Sequence, residues 1–391
     1  MMMADPSAFK TAAPRPQQWD FDLVYIHAGP IPAEFANAVQ VVRMCEAFQA
    51  MGCDTSLLAP GDVNACLMRE YGLKVPVRRL KAPPVWLPGR AVVSILAAAA
   101  ARPHRRSRVI FTRSGPVARA AALLRQPFVL EMHLPLAAHS PKMAAILRHA
   151  LRSPHLLLLV VITQTLKQDY LAVEPGLEGR VLVAHDGAQV RSAPPPPPGG
   201  SRLQIGYTGQ LFEGKGMETI NALARRCGWA DFHVVGGTDS TLAAWRKATR
   251  DCPNLVLHGA IPHGQVAERL DGFDIVLAPY RSVVRGSGVG GQNLANWMSP
   301  LKLFEYMERA RPIIASDLPV LREVLEDGKN CLLCPPEDIS AWEAALERLR
   351  DDSALRLSLG EQARNDILAG YSWERRAASI LDAVALARRH A

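Results

Sequence analysis

"SAPPPPPGGS", residues 192–201, is the stretch that decides the architecture. Its five consecutive prolines carry no amide donor and hold φ near about −65°, so the run cannot sit inside a sheet and reads as a stiff, extended linker. On both sides of it the same alternation appears. Before it, "FDLVYIHA" (21–28), "TSLLAP" (55–60), "RVIFTR" (108–113), "FVLEMH" (128–133), "LLLLVVIT" (156–163) and "VLVAHDG" (181–187) are apolar runs of strand length, with helical stretches such as "ANAVQVVRMCEAFQAMG" (36–52) between them. After it come "LQIGYTG" (203–209), "DFHVVGG" (231–237), "LVLHG" (255–259), "DIVLAPY" (274–280) and "PIIAS" (312–316). Strands alternating with helices are the signature of parallel α/β sheets. The chain therefore divides into a Rossmann-like unit over 20–191, a linker over 192–200 and a second Rossmann-like unit over 201–372. The helical pattern at the end, "YSWERRAASILDAVALARRHA" (371–391), is free to pack back on the first unit through 373–391. Two such units facing each other turn their strand carboxyl ends, where these sheets bind ligands, toward a shared cleft.

Composition bounds the function. The 391 residues are 49% hydrophobic and 21% charged, enough to bury two cores of ordinary domain size. The opening "MMMADPSAFKTAAPRPQQWD" has no apolar core of signal-peptide length, and "AVVSILAAAAA" (91–101) is shorter than a spanning helix. Seven scattered cysteines argue against a disulfide framework and fit a reducing, cytoplasmic setting. Cys331 and Cys334 have metal-ligand spacing, but no second pair or histidine cluster completes a tetrahedral site, so no metal is expected there. Between Lys74 and Arg152 stand fifteen lysines and arginines against one acid, Glu131. No zinc finger, RNP-type or helix-turn-helix pattern accompanies this charge, which excludes a nucleic-acid reader and leaves an anionic membrane surface or a phosphorylated substrate.

The chemistry concentrates at strand ends of the second unit. "YTGQLFEGKG" (207–216) follows a strand with glycine-permitted turns at Gly209 and beyond, and delivers Lys215 just before a helix; amides at a helix start plus an ammonium suit a phosphate. In "SPLKLFEYM" (299–307), Ser299 reads as an N-cap and Pro300 as the first helical residue, so amides from Leu301 onward point out of the helix start. Lys302 stands in that first turn, where the helix dipole disfavours a cation unless an anion is near. Spacing alone leaves two readings open: an i,i+3 surface pair of Lys302 with Glu305, or a lysine for an anion and a glutamate for a vicinal diol.

The ordered series "YTGQLFEGKG", "FHVVGG", "LVLHGAIP", "DIVLAPY", "SPLKLFEYMERARPIIASDLPVLREVLEDGKNCLLCPPED" and "YSWERRA" resembles family 4 retaining glycosyltransferases of the GT-B fold, the group with an SPLKxFEYM-type donor motif. The first half is similar more loosely, through "FTRSG", "EMH" and "VAHDGAQV". The resemblance implies two facing Rossmann-like domains with a C-terminal helix crossing back. It further implies transfer of a hexose-type sugar from a nucleoside diphosphate-sugar co-substrate, with retention and without a metal or other cofactor. The acceptor would be a glycan, such as a lipid-linked polysaccharide or exopolysaccharide precursor. Carried over residue by residue, Lys215 and Lys302 face the diphosphate with Gly209, Gln210 and Leu301. Glu305 takes the ribose hydroxyls, the Ile261–Pro262 backbone the nucleobase, and His133 the transferred sugar. Gly29, Glu131, Arg281, Arg285, Asn296 and Ser299 are further candidates, with His27, His185, Asp186 and Asn293 behind them.

Two departures stand out. Gln210 replaces an arginine common in relatives, a charge that Lys302 with Arg281 or Arg285 is expected to restore. Trp297 replaces a glutamate that in relatives holds the donor sugar, so the sugar's identity is not carried over. Glu131, two residues from His133 on the same strand face, reads as base, as nucleophile or as the group that orients His133. Two other classes share the fold: a nucleotide-sugar epimerase, which needs no acceptor, and a non-catalytic nucleotide-sugar-binding protein. The basic half places the enzyme peripherally on the inner membrane face, with 75–96, including Trp86 and Leu87, as the expected contact.

Overall fold

The computed structural model describes residues 19–33, 35–62, 64–80, 107–191, 195, 198, 200–285 and 293–390. Most of the proline linker, most of the 75–96 stretch with Trp86 and Leu87, and the centre of the 281–293 loop lie outside the described residues.

Two parallel sheets make the frame. The first runs in the order β3-β2-β1-β4-β5-β6-β7, from β1 (Phe21–Ile26), β2 (Thr55–Leu58), β3 (Arg78–Leu80), β4 (Ser107–Thr112), β5 (Phe128–Met132), β6 (Leu156–Val161) and β7 (Val181–Val183). The second runs β10-β9-β8-β11-β12-β13, from β8 (Leu203–Thr208), β9 (Ala230–Val235), β10 (Leu255–Gly259), β11 (Ile275–Ala278), β12 (Ile313–Ser316) and β13 (Leu332–Cys334). Both sheets reverse direction of winding after their first strand, which opens a crevice at the carboxyl ends of β1/β4 and β8/β11. Central strands such as β6, LLLLVV, are buried throughout, because helices cover both sheet faces. Two short edge strands, β3 and β13, go beyond the sequence reading. Each is three residues long, and β3 is the charged RRL, so neither shows the apolar run that marks a central strand.

The helices that position the site are α1 (Ala36–Ala50), α2 (Leu67–Tyr71), α3 (Gly115–Leu123), α4 (Pro141–Leu151), α5 (Gln164–Val173), α6 (Met217–Arg226), α7 (Asp239–Ala248), α8 (His263–Asp271) and α9 (Leu301–Glu308). The chain ends with α10 (Ile339–Asp351), α11 (Ser353–Gly370) and α12 (Trp373–Arg389). As expected, α12 returns to the first unit. Trp373, Ala377, Ile380, Leu381 and Val384 recur at helical spacing and enter one core with Val41, Phe48 and Phe111. Each large apolar side chain buried there contributes about 1.5–3 kcal/mol.

The two chain crossings between units lie against each other. The Ala188 N–H donates to Tyr371 O at 3.0 Å and the Trp373 N–H donates to Ala188 O at 3.2 Å. This approach needs Gly187, where a Cβ would stand 2.6 Å from the Tyr371 carbonyl oxygen. Gly187→Ala is therefore expected to cost about 1–3 kcal/mol by overpacking against backbone, seen as a lowered midpoint in thermal unfolding followed by circular dichroism.

Candidate active site

β8 ends in Thr208 and the chain turns through Gly209, Gly214 and Gly216, all at positive φ, before α6 starts. Gly209 has a second role besides its backbone. A Cβ there would lie 2.8 Å from Lys302 Nζ, so its absence makes the space that the ammonium occupies. Lys302 is buried, and its Nζ has no hydrogen-bond partner among the described residues. It lies 3.6 Å from the centroid of the Tyr207 ring and 5.3 Å from that of Tyr280. Lys215 Nζ lies 5.2 Å from the same Tyr280 ring. Among the described residues no carboxylate forms an ion pair with either lysine. Burial pushes the Lys302 ammonium well below the usual lysine range, the Lys215 charge adds to this, and Glu305 only partly opposes it. Burial alone lowers Lys215 to about 8. Two ammonium groups held over tyrosine faces with no counter-ion are an arrangement that an incoming anion relieves.

One turn along α9, Glu305 accepts from His263 Nε2 at 2.7 Å. Its carboxyl stays below the usual range: burial raises it, and the neighbouring His263, Arg43 and Lys302 outweigh that. His263, the first residue of α8, was not singled out in the sequence; the available signal was its place directly after Ile261–Pro262 at a helix start. A cavity of about 180 Å³ adjoins Glu305 and is lined also by Arg43, His263, Leu301, Arg309 and Trp373. Ile261 and Pro262 do not line it.

Several expected residues are placed differently. α9 begins at Leu301 with Pro300 as its N-cap, one residue later than expected. Ser299 is thereby released from capping, and its Oγ accepts the Asp186 N–H of the first unit at 3.1 Å. Arg285 faces Glu213 at 3.5 Å. Arg281 lines a separate pocket with Glu213, Glu218 and Glu337. The arginines thus sit beside carboxylates, whereas no carboxylate among the described residues pairs with either lysine. Asn293 is a turn residue, accepting from Val284 N and Ala295 N. Asn296 is exposed. The Gln210 carbonyl accepts from Tyr207 Oη at 2.8 Å, which ties its backbone while its side-chain Oε1 is buried without a partner. Trp297 turns away from the second unit: its Nε1 donates to Asp169 on α5 at 2.7 Å, and the ring packs on the first unit's core.

In the first unit, Glu131 and His133 meet as expected, with Oε1 and Nε2 2.6 Å apart. Glu131 is buried, and the same oxygen accepts from Gln40 Nε2 at 2.6 Å and faces Arg376 Nη2 at 3.3 Å. Burial raises its carboxyl, yet Arg376, His133 and Arg113 hold it well below the ordinary range. Oε1 is engaged by two donors and a facing guanidinium, while Oε2 is buried without a partner among the described residues; an ionised carboxylate enclosed in this way is placed to orient its neighbour. Burial and Arg113 bring the His133 pKa down to about 4, so the ring is neutral at pH 7. His27 is neutral for the same two reasons, with its pKa at about 4. His185 Nδ1 donates to Ile162 O at 2.9 Å. A Cβ on Gly29 would lie 2.9 Å from His27 Nε2. Cys331 and Cys334 are buried thiols raised by burial, packed at the strand end as expected.

The double Rossmann-like frame with its returning helix is the GT-B fold, and its second unit is glycosyltransferase-like: residues 217–382 match the family model described as "Glycosyl transferase-like". Over 101 residues the chain is 29% identical to the D-inositol 3-phosphate glycosyltransferase of Corynebacterium urealyticum, covering 26% of this chain and 24% of that enzyme. The sucrose-phosphate synthase of Thermosynechococcus elongatus is similar in structure with a TM-score of 0.70 at 16% identity, over 94% of this chain and 99% of that one. Anabaena Alr3699/HepE, solved in complex with UDP-glucose, has a TM-score of 0.65 at 13% identity over 92% of this chain and 99% of that one.

The lysine geometry generates a proton-linkage prediction. Lys215 titrates near 8 in the free protein and Lys302 well below 10.5. A bound diphosphate restores both ammoniums by charge pairing. Titration calorimetry with UDP at pH 9, in buffers of different ionisation enthalpy, is expected to show net proton uptake that disappears in the Lys215→Met, Lys302→Met double variant.

Proposed function

We propose that this chain is a retaining glycosyltransferase that moves a hexose-type sugar from a nucleoside diphosphate-sugar to a glycan acceptor, a lipid-linked polysaccharide or exopolysaccharide precursor. The observation that carries the reading is the buried Lys302, whose Nζ has no partner among the described residues, with the half-buried Lys215 near the same Tyr280 ring and an ionised Glu305 one helical turn from Lys302. The lysines receive the diphosphate, Glu305 with His263 holds the ribose hydroxyls, and Ile261–Pro262 edges the base. UDP is the first nucleotide to test, since Alr3699/HepE binds UDP-glucose.

The chemistry follows from the leaving group. As the anomeric C–O bond stretches, negative charge accumulates on the β-phosphate and the sugar becomes oxocarbenium-like. Cations already in place, in a site shielded from water, stabilise that charge without reorganising. The chain's own lysines supply what a divalent ion supplies elsewhere, so the reading includes no metal. The incoming acceptor hydroxyl attacks on the face the phosphate leaves, and its proton passes to the departing phosphate oxygen, which accounts for retention. His133, neutral at pH 7, contacts the transferred sugar from the opposite unit. An epimerase on this fold would release nucleotide without an acceptor, and a binding protein would release none.

Lys215→Ala and Lys302→Ala are each expected to lower turnover at least about tenfold, and Glu305→Gln to weaken nucleoside diphosphate binding, because each removes a charged partner. Nucleotide release from UDP-, GDP- and ADP-sugars, with calorimetry for affinity, checks this. Wild-type turnover in both lysine variants would remove the proposed donor site.

Peripheral membrane attachment belongs to the same reading, and most of the expected 75–96 contact lies outside the described residues. Arg78 faces Asp54 at 3.7 Å, and Arg79 donates to Ile31 O at 3.0 Å, so these two are partly engaged within the fold. Among the described residues a further exposed basic face adjoins α3 and α4: Arg119, Arg125 and Lys142 are exposed beside Leu123 and Leu124, which are 62% and 40% exposed, and Arg148, also exposed, faces Glu174 at 3.9 Å. No helix among the described residues is long and apolar enough to cross a membrane. Each basic side chain at an anionic leaflet contributes about 1 kcal/mol within a Debye length. Sedimentation with vesicles containing anionic lipid is expected to fade as salt rises and with Arg119, Arg125 and Lys142 reversed to Glu. No cosedimentation at low salt would leave this face without a membrane role.

A further inference from the structure

We propose that Arg376, carried on the C-terminal helix α12, is a positioning residue for His133: it keeps Glu131 as the acceptor of the His133 Nε2–H and so leaves Nδ1 as the ring's free acceptor for a substrate hydroxyl. The inference rests on the reading that His133 meets the transferred sugar. The geometry that supports it is local. Arg376 is buried, its Nε donates to His185 O at 2.9 Å and to Ala184 O at 3.3 Å, and its Nη2 stands 3.3 Å from Glu131 Oε1. Those carbonyl bonds aim the guanidinium at the carboxylate. On the other side, Arg113 Nη1 donates to Gln40 Oε1 at 3.0 Å, which turns the Gln40 amide so that its Nε2 donates to the same Glu131 oxygen.

Arg376 also lies between two buried acids. Asp186, just past β7, has an Oδ1 without a partner among the described residues. Burial and Glu131 raise its carboxyl to about 7, against the lowering effect of Arg376. The charged and titratable groups facing Glu131 or His133 are then Tyr25 from β1, Arg113 after β4, Asp186 after β7 and Arg376 from α12. Arg376 is the strongest influence keeping Glu131 ionised against its burial. Remove that charge and Glu131 is left enclosed beside Asp186, in a setting that favours the protonated acid. A protonated Glu131 donates where it previously accepted. The His133 proton then moves to Nδ1, and the lone pair offered to the substrate is lost.

The test needs no substrate for its first arm. Long-range ¹H–¹⁵N spectra of histidine-labelled, full-length protein at pH 7 are expected to show His133 as the Nε2–H tautomer. Arg376→Gln, which keeps a donor for the two carbonyls, is expected to shift it to Nδ1–H. Arg376→Lys, which keeps the charge, is expected to retain the wild-type tautomer. In the second arm, Arg376→Gln lowers kcat about tenfold to a hundredfold with the donor KM unchanged, as when an orienting partner of a functional histidine is lost, and Arg376→Lys recovers most of it. Identical tautomer signals in the Gln and Lys variants, with both folded by thermal melt, would overturn the proposal and make Arg376 a purely structural residue. If neither variant folds, the tautomer of folded Glu131→Leu, which offers no acceptor, decides: Nε2–H retained there removes Glu131, and with it Arg376, from any positioning role. His133→Ala separates the two layers, because unchanged turnover in that variant sinks the sugar-contact reading and leaves the tautomer result standing.

Discussion

Burying an ammonium group without a carboxylate is the constraint around which the second unit is organised. The helix that carries Lys302 is buried at six of its eight positions, and the lysine is turned inward over Tyr207. Three local features make that position possible: Gly209 provides the space, the Tyr207 hydroxyl is tied to the Gln210 carbonyl, and Tyr306, on the next turn of α9, accepts the Thr208 N–H at 2.8 Å. The strand end, the glycine turn and the helix start are thus locked to each other. A desolvated, unpaired cation costs several kcal/mol in a medium of low polarity. Burial accordingly drives Lys302 toward its neutral form, and an anion bound beside it would restore the charge, which is the physical ground for the proposed donor site.

The first unit meets the opposite problem, an excess of buried acid, and solves it from a distance in sequence. Glu131 and Asp186 lie under the carboxyl ends of their sheet, and the cation that compensates them arrives on the last helix of the chain. The return of α12 therefore carries charge as well as apolar surface. The same principle of cross-unit partners recurs on α5. Its first amides, of Gln164 and Thr165, donate to Glu323 of the second unit at 2.7 and 3.2 Å, and its Asp169 accepts from Trp297. A helix start and a half-buried acid in one unit are completed by the other, and the loop that precedes Lys302 is one of the elements making the connection.

Electrostatics also redistributes what composition implied about surface charge. The basic half is basic in sequence from Lys74 to Arg152, but much of that charge is directed inward or along the surface to partners. Arg113 serves Gln40, Lys74 donates to Val190 O at 3.1 Å, and Arg152 makes two bonds to Glu174 at 2.8 and 3.0 Å. Among the described residues of this run, Arg119, Arg125 and Lys142 face outward at α3 and α4.

By itself the sequence determined the class of architecture and the location of the chemistry. Apolar runs separated by amphipathic helices specify parallel α/β sheets through burial alone, five prolines divide them, and the i,i+3 and i,i+4 spacing of Trp373, Ala377, Ile380 and Val384 specifies a helix with one face to bury. Lys215, Lys302, Glu305 and the Glu131–His133 pair were legible because short-range spacing puts each at a strand end or a helix start. Tertiary structure decided everything that depends on partners far apart in the chain. His263 is 42 residues from Glu305, Gln40 is 91 from Glu131, and Trp297 reaches Asp169 across 128. Ser299 left its expected cap to bond the other unit, and Arg376 was indistinguishable in sequence from the surface arginines of α12. Local pattern governs which way a side chain leaves its own helix or strand; the charge, hydrogen bond or ring it meets there is set by packing, and that meeting decides whether a lysine is a surface cation or a ligand for phosphate.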